Sequence, residues 1–444
     1  MPGQLYSPKL SGIVKFTNCR LVRNGKFVFE DLWVSSETGT ILSSQAAFFD
    51  NQTLPDEVID LEGRIISPGL IDVQLNGAFG FNFSTAPEGL SYAKSIAEVN
   101  RKLVQTGVTS YVPTLTSQKP TLYQKALPFL RPNSSRVGDH GAESLGAHVE
   151  GPFLNPRKNG IHDVNVLLEA NSFADIEACY GRDNLGGEGP GTSTIKKITL
   201  APERGNMLAL VPKLRERGII VSIGHSESTY EEASSAVSAG ATMITHLFNA
   251  MRPLHHRNPG IFGVLGIAEK SPRPYFGIIA DGIHLHPTVI KIAYNAHPEG
   301  CILVTDAMHL VGLPDGAYPW ENGQAESRII KAGPTLRLEG TDKIAGSSIT
   351  LVECVNNFLE WSGVSVPQAL KSVTSTPAAM LGVEGTKGSL ASGADADLAI
   401  FSEIKTDNGT SQLVIDEVWK YGKRVFRREG LEIPEPTSPL GSAA

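Results

Sequence analysis

Eight apolar segments alternate with helical patterns through the middle of the chain, and this alternation predicts the main architecture. The segments are apolar with few interruptions, which is typical of parallel strands covered on both faces. They lie at 65–75, 108–115, 145–150, 195–200, 219–223, 242–246, 275–280 and 301–305. Eight strand-and-helix units are the number that a TIM-type (β/α)8 barrel needs. A doubly wound open sheet would also alternate, but no Gly-x-Gly-x-x-Gly motif follows the first strand.

Short strand-like segments at both ends of the chain predict a second, smaller unit. Segments between 13 and 34 are separated by Gly, Asn and Ser turns, and the same character returns at 397–401 and 415–426. We therefore expect a small β-sandwich domain built from residues 1–66 and 384–432, on either side of a barrel at 67–383. The proline-rich residues 433–444 predict a disordered tail. The glycine-rich segment 181–193 predicts a surface insertion before the fourth barrel strand.

The composition is that of a globular protein with no electrostatic signature for nucleic acid or a membrane surface. The 444 residues are 41% hydrophobic and carry a formal net charge of -7, with an isoelectric point near 5.9. A nucleic-acid-binding domain would show a basic excess instead. Four cysteines without a Cys-x-x-Cys pair argue against a disulfide framework, and the sequence shows neither a signal core nor a membrane-spanning stretch. We expect a cytoplasmic enzyme that acts on a small molecule.

Four of the apolar segments end in residues that suit a catalytic metal centre. Glu150 ends the third segment, His225 and His246 follow the fifth and end the sixth, and Asp306 follows the eighth. A parallel barrel brings all carboxyl ends of its strands to one face. One carboxylate and two imidazoles form a three-ligand set for zinc, with iron(II), cobalt or manganese as alternatives. Asp306 would then be the general acid and base.

Each of these residues also has a purely structural interpretation. A histidine at a strand end is often a hydrogen-bonded structural residue, and Glu150 or Asp306 would be ordinary capping carboxylates. Two histidines and two acids at the ends of barrel strands favour the metal site over four separate structural roles. We interpret His148, which shares the strand face of Glu150, as a packed residue one layer below the site.

A basic loop follows the sixth segment and offers a group for phosphate recognition. Arg257 in this loop has the geometry for a bidentate contact to phosphate or carboxylate. On composition alone, a solvated loop is an equally good interpretation. His284, after the seventh segment, is likewise open to a structural or a functional role.

Taken together, the motifs resemble the N-acetylglucosamine-6-phosphate deacetylase family of the amidohydrolase superfamily. The resemblance spans almost the whole chain. It is carried by the segments SPGLIDVQLNG at 67–77, HVEGPFLNP at 148–156, GIH at 160–162, GHS at 224–226, THLFNAM at 245–251, DGIH at 281–284 and TDA at 305–307.

The first barrel strand carries Gln74 and Asn76 where many amidohydrolases have a His-x-His pair for a second metal. The Gln-x-Asn pattern is similar to that of the deacetylases, so the resemblance implies a site for a single divalent ion, most simply zinc. It argues against a dihydroorotase or hydantoinase, which would need both histidines and usually a bridging modified lysine.

The resemblance also implies individual roles. It makes Glu150, His225 and His246 the metal ligands, Asp306 the catalytic acid and base, and His162 the group that orients or polarises the acetyl carbonyl. Substrate contacts are implied for Ile161, Asn249, Ala250, Arg257, His284, Ile344, Ala345 and Gly346. Arg257 and His284 would bind the sugar phosphate, with His284 reaching across the interface of a homodimer.

The implied reaction is hydrolysis of N-acetyl-D-glucosamine 6-phosphate to D-glucosamine 6-phosphate and acetate by a metal-activated water, in amino-sugar catabolism or recycling. One alternative is a deacetylase or amidase of the same mechanism acting on another N-acyl sugar or an N-acyl amino acid. Another, of a different class, is a catalytically silent protein that only binds a sugar phosphate. A silent binder has no need of Asp306 beside a metal-activated water, so the sequence favours an enzyme.

Overall fold

The computed structural model describes residues 12–45, 54–132, 135–187, 193–267, 273–319, 328–407 and 409–432. The strands are β1 Ile13–Thr17, β2 Arg20–Arg23, β3 Lys26–Val28, β4 Leu32–Ser35, β5 Thr40–Leu42, β6 Glu57–Asp60, β7 Ile65–Pro68, β8 Leu70–Leu75, β9 Gly77–Ala78, β10 Phe81–Asn82, β11 Val108–Leu115, β12 Glu143–Ser144, β13 Ala147–Glu150, β14 Ile195–Leu200, β15 Ile220–Ile223, β16 Met243–Ile244, β17 Tyr275–Ile279, β18 Cys301–Val304, β19 Gly316–Pro319, β20 Arg328–Ala332, β21 Thr335–Leu338, β22 Ile344–Ser347, β23 Leu398–Lys405, β24 Ser411–Lys420 and β25 Lys423–Arg427. The α-helices are α1 Leu90–Leu103, α2 Pro120–Ala126, α3 Phe173–Tyr180, α4 Met207–Glu216, α5 Tyr230–Ala239, α6 Pro287–Ala296, α7 Leu351–Ser362, α8 Val366–Lys371 and α9 Ser375–Leu381.

Eight parallel strands form the predicted barrel. Strands β8, β11 and β13 to β18 pair in sequence order, each parallel to its neighbour. The first and last strands meet just beyond their ends, where the Asp306 amide donates to the Gln74 carbonyl at 3.0 Å and the Asn76 amide to the Ala307 carbonyl at 2.8 Å. This closure brings Gln74, Asn76 and Asp306 together on the carboxyl face. The barrel is the fold class expected from the sequence.

The predicted first strand at 65–75 is two strands in the structure. Its first part, β7, belongs to the small domain and pairs with β2 and β23, whereas β8 enters the barrel. The chain passes from one unit to the other at Gly69, where an added Cβ would lie 2.1 Å from Thr109 Oγ1. A continuous apolar run concealed this break because both parts are buried. The predicted domain boundary at 66/67 therefore lies within β7.

The small domain is a β-sandwich of two sheets to which both ends of the chain contribute. One sheet has the order β5-β4-β1-β6, and the other has the order β25-β24-β23-β7-β2-β3. Apolar side chains from both sheets form the core between them, including Phe16, Val34, Ile66, Ile400 and Trp419. The Phe16 and Trp419 rings meet edge to face at 5.1 Å. The predicted tail at 433–444 and part of the glycine-rich segment, 188–192, lie outside the described residues.

A four-stranded antiparallel sheet, β19 to β22, follows the last barrel strand and was not expected from the sequence. Its inner face joins Ile329, Leu336 and Ala345 to Met308 and Leu310 in a separate apolar cluster. Ser347 forms a parallel bridge with Ala307, so the end of β22 reaches the carboxyl face of the barrel. This inserted sheet therefore carries the 344–346 segment to the site. No helix within the described ranges is long and apolar enough to cross a membrane.

A buried ionic network joins the barrel to the sandwich. Glu143 of β12 accepts hydrogen bonds from Lys387 and Lys420, and its second oxygen accepts from the Tyr421 hydroxyl at 2.8 Å. Asp397 lies 2.8 Å from Lys387 and 2.7 Å from Lys420. All five residues are buried, so each ammonium depends on the carboxylates around it.

We predict that Glu143→Gln destabilises the protein by about 3–5 kcal/mol, because two buried ammonium groups lose part of their compensation. Chemical denaturation followed by circular dichroism measures the change. The control is Glu98→Gln, which removes one partner of an exposed pair with Lys102 and should leave the transition where it is. Equal transitions for the two variants would contradict a structural role for the network.

Candidate metal centre and active site

Three ligand atoms meet on the carboxyl face of the barrel. Glu150 is the last residue of β13, and His225 and His246 each lie two residues beyond their strands, β15 and β16. Glu150 Oε1 lies 3.2 Å from His225 Nε2 and 3.1 Å from His246 Nε2, and the two nitrogens are 3.0 Å apart. All three residues are buried. They form one of two groups within the described residues whose ligand atoms lie close enough together to hold an ion.

The donor set fits a divalent metal. Bonds of about 2.0–2.1 Å in a tetrahedral site place ligand atoms roughly 3.3 Å apart, close to the separations found here. His225 Nδ1 lies 2.7 Å from the Lys158 carbonyl, so Nδ1 carries the proton and Nε2 presents its lone pair to the centre. Such a hydrogen bond behind the ring is typical of a metal-binding histidine. The second group, Glu143 with Asp395 and Asp397, differs because lysines already occupy its oxygens.

Three of the four predicted residues share an unusual backbone conformation. His225, His246 and Asp306 have positive φ angles of 48°, 28° and 47°. Residues with side chains rarely adopt this left-handed region, and such strain is concentrated at functional sites. At these three residues the backbone turns sharply just beyond a strand end, and this turn directs each of the three side chains over the mouth of the barrel.

Gln74 and Asn76 hold the two carboxylates of the site. Gln74 Nε2 lies 3.2 Å from both oxygens of Glu150 and 3.2 Å from Asp306 Oδ1, which also accepts from Asn76 Nδ2 at 2.8 Å. Burial raises the pKa of Asp306, and the neighbouring Glu150 charge raises it further. Burial also raises the pKa of Glu150, but hydrogen bonds with His225 and His246 outweigh it and hold that pKa well below its usual value. The first-strand amides thus bind carboxylates where a His-x-His pair would bind metal.

His162 is fixed as a hydrogen-bond donor toward the site. Its Nδ1 accepts from the Ser117 amide at 3.0 Å, and the Ser117 hydroxyl lies 2.8 Å away. Because an amide can only donate, Nδ1 has no proton and Nε2 carries it. Burial, with the nearby His225, lowers the pKa of His162 to about 3, so the ring is neutral near pH 7. Ser117 was missed from the sequence, although it follows a barrel strand as the predicted residues do.

A polar layer lies directly below the site. His148 is fully buried, with Nδ1 3.1 Å from Thr114 Oγ1 and Nε2 2.7 Å from Thr199 Oγ1. Thr199 continues the chain of hydrogen bonds to Thr245 at 2.7 Å. Burial lowers the pKa of His148 well below its usual value, and Lys197 lowers it further. The packed second-layer position expected for His148 is confirmed by these contacts.

A pocket of about 310 Å³ surrounds the predicted metal ligands and Asp306. Of the predicted substrate contacts, Ile161, Asn249, Ala250, His284, Ile344 and Gly346 line it, as do His162 and Asn76. Arg257 is exposed on its loop and Ala345 is buried beside Met308, and neither is part of the lining. The substrate contacts of all eight residues remain predictions. The pocket also includes five residues that we did not select from the sequence, Thr116, Gly160, Ile279, Met308 and Lys343.

His284 is held in place by Asp281. The carboxylate accepts from the His284 amide at 2.9 Å and lies 2.6 Å from Nδ1, so Nδ1 carries a proton toward it. Burial raises the pKa of Asp281, and the contacts with His284 outweigh burial and lower it. The opposite nitrogen of the ring is free of this contact, which leaves it available on the pocket side.

Comparison with known proteins identifies the family of the chain. The amidohydrolase family model matches residues 65–425. The chain therefore belongs to the amidohydrolase family. Within it, the chain is 43% identical over 396 residues to the N-acetylglucosamine-6-phosphate deacetylase of Mus musculus, covering 88% of this chain and 92% of that one. The resemblance expected from the motifs is confirmed.

Solved structures extend the likeness to three dimensions. The N-acetylglucosamine-6-phosphate deacetylase of Pasteurella multocida has a TM-score of 0.76 at 26% identity, over 94% of this chain and 100% of that one. A variant of the Mycobacterium smegmatis enzyme, solved in complex with N-acetyl-D-glucosamine-6-phosphate, has a TM-score of 0.73 at 26% identity, over 93% and 98% of the two chains.

We predict that the purified protein carries one divalent ion per chain and that His225→Ala loses it, because one of three ligands is removed. Elemental analysis by mass spectrometry gives the stoichiometry. The matched control is His256→Ala on the exposed loop, which should retain the ion. Full metal content in His225→Ala would exclude the proposed ligand set.

Proposed function

We propose that the protein removes the acetyl group from N-acetyl-D-glucosamine 6-phosphate, giving D-glucosamine 6-phosphate and acetate, within amino-sugar metabolism. The observation that carries this proposal is the triangle of Glu150, His225 and His246, with Asp306 linked to it through Gln74 in one pocket. This set provides ligands and a proton carrier for hydrolysis of an amide. The substrate is inferred from the deacetylase relatives described above.

Glu150, His225 and His246 would hold a single divalent ion, and two nitrogens with one carboxylate favour zinc. When bound, this ion would polarise the amide carbonyl and lower the pKa of the attacking water. The first strand supplies no imidazole for a second ion, and the side-chain amide nitrogens of Gln74 and Asn76 donate to the carboxylates of Glu150 and Asp306.

Asp306 and His162 have separate roles in the proposed reaction. Asp306 takes one proton from the attacking water, whose oxygen forms a bond with the acetyl carbon. His162 donates its Nε2 proton as a hydrogen bond to the carbonyl oxygen and stabilises the negative charge that develops there. Asp306 then returns the proton to the departing nitrogen as the C–N bond breaks. Water is thereby added across the amide, and acetate and a free amine remain.

The sugar lies on the side of the pocket formed by the loops beyond β16 to β18 and by the inserted sheet. Asn249, Ala250, Ile344 and Gly346 face it there. Arg257 and His284 would bind the phosphate. The family resemblance implies a homodimer in which His284 reaches the partner's substrate phosphate, whereas within one chain His284 lines its own pocket; the dimer contact is therefore part of this proposal. The four described cysteines are free and buried, which fits the reducing cytoplasm.

The first experiment measures acetate released from N-acetylglucosamine 6-phosphate, from unphosphorylated N-acetylglucosamine and from the phosphorylated sugar after chelator treatment. We expect release only with both phosphate and metal present, and recovery when zinc is restored. Absence of release from either sugar by folded, zinc-loaded protein would refute the proposed function. Equal rates on the two sugars would refute the phosphate requirement.

We predict that Asp306→Asn lowers kcat by roughly 100- to 10,000-fold, since an amide cannot carry the proton. Metal content should remain near one ion per chain, because Asp306 is not a ligand. The exposed Asp315 provides the control, and Asp315→Asn should keep the normal kcat. A near-normal rate for Asp306→Asn would exclude its role as acid and base.

We predict that Arg257→Ala raises KM for the phosphorylated sugar by roughly 10- to 100-fold with little change in kcat, since a lost charge-assisted phosphate contact weakens binding by about 1.5–3 kcal/mol. Steady-state kinetics separate the two constants. Arg252→Ala, in the same loop, is the matched control with an unchanged KM. An unchanged KM in both variants would place Arg257 outside phosphate recognition.

A further inference from the structure

A second cavity lies beside the catalytic pocket and has no role in the reaction as described so far. Its volume is about 510 Å³, compared with about 30 Å³ for one water molecule in the liquid. Residues from 84–86, 116–125 and 161–166 line it. Three of them, Thr116, Ile161 and His162, also line the catalytic pocket. The two spaces therefore share a wall.

The shared wall is on the acyl side of the catalytic pocket. His162 is the residue assigned to the acetyl carbonyl, and it reaches the pocket from the loop after β13. The sugar side is formed by the later loops, which carry Asn249, His284 and Ile344. The second cavity thus begins behind the residue that contacts the acetyl group, on the side away from the sugar.

The second cavity combines apolar surface with two cationic side chains and several hydroxyl groups. Lys119 and Lys125 are exposed, and the structure gives neither ammonium a carboxylate partner among the described residues. Five hydroxyl-bearing residues contribute to the lining, namely Ser84, Thr85, Thr116, Ser117 and Thr121. The opposing charge is Asp163, which accepts from the Asn165 amide at 3.0 Å and its side-chain nitrogen at 2.8 Å. The balance of two cations against one engaged anion favours a small anionic ligand.

We propose that this cavity is the binding and exit site for the acetate product, with Lys119 and Lys125 attracting the carboxylate. The inference rests on the proposed function for the identity of the anion. Hydrolysis of the C–N bond produces acetate next to His162, so the shared wall is where this product forms. Exit on this side allows acetate to leave while the amino sugar still occupies the sugar side. No further bond changes are involved.

The test measures [¹³C]acetate binding by NMR on chelator-treated protein, because a carboxylate would also bind a metal in the catalytic pocket. The variant is Lys119→Met with Lys125→Met, and the control is Lys213→Met on the exposed face of α4. Two exposed ion pairs predict roughly fivefold weaker acetate binding in the double variant, and this difference should shrink at high salt. Equal affinity in the double variant and the control would overturn the proposal.

A second variant tests the exit path without changing charge. Thr121→Trp places a large ring in the cavity from an exposed position on α2 and leaves the catalytic pocket unaltered. We expect a lower kcat with an unchanged KM, and weaker inhibition by added acetate in the metal-loaded enzyme. Normal kcat and normal acetate inhibition would overturn the exit path. If wild-type protein releases no acetate from the sugar, the proposed function fails, whereas the NMR measurement still decides whether the cavity binds acetate.

Discussion

The site depends on keeping two carboxylates close together, one buried, Glu150, and one half-buried, Asp306. Glu150 and Asp306 are linked through one amide, Gln74 Nε2, which lies 3.2 Å from both. Two carboxylates that share one donor in a poorly solvated site repel each other strongly unless hydrogen-bond donors or cations compensate their charges. Gln74, Asn76 and the two histidines provide that compensation, and a metal would add to it. The closure of the barrel between β8 and β18 is what brings the amides and Asp306 to the same point.

The two halves of the pocket come from different parts of the barrel. The loops after β11 and β13 supply Thr116, Ile161 and His162, whereas the later loops and the inserted sheet supply the residues toward the sugar. Under the proposed function, this separation would let the acyl and sugar ends of one amide substrate be recognised independently. The inserted sheet contributes to the pocket in this way although none of its strands belongs to the barrel sheet.

Much of the site could be predicted from the sequence because parallel strands bring their carboxyl ends to one face, so Glu150, His225, His246 and Asp306 had to meet if the barrel was correct. Ser117 and Lys343 were harder to find, since their positions depend on loop conformations that apolar periodicity does not encode. The prediction of one strand at 65–75 was wrong because β7 and β8 are both buried on two faces, so the apolar pattern does not change where the chain passes from the sandwich sheet to the barrel. The inserted sheet was missed because its strands are short and half exposed.

The hydrogen bond from His225 Nδ1 to the Lys158 carbonyl connects the metal centre to the loop that carries Ile161 and His162. A metal ion at His225 Nε2 would strengthen the hydrogen bond from Nδ1 to the Lys158 carbonyl, since the ion draws electron density from the ring and makes the Nδ1 proton a better donor. Thermodynamic linkage requires the reverse effect as well. Ordering of the loop that carries Ile161 and His162 would therefore raise the affinity of His225 Nε2 for a metal ion. With the proposed ion bound, metal loading and ordering of this loop would be coupled equilibria, and loss of the ion would loosen the surface proposed to contact the acetyl group.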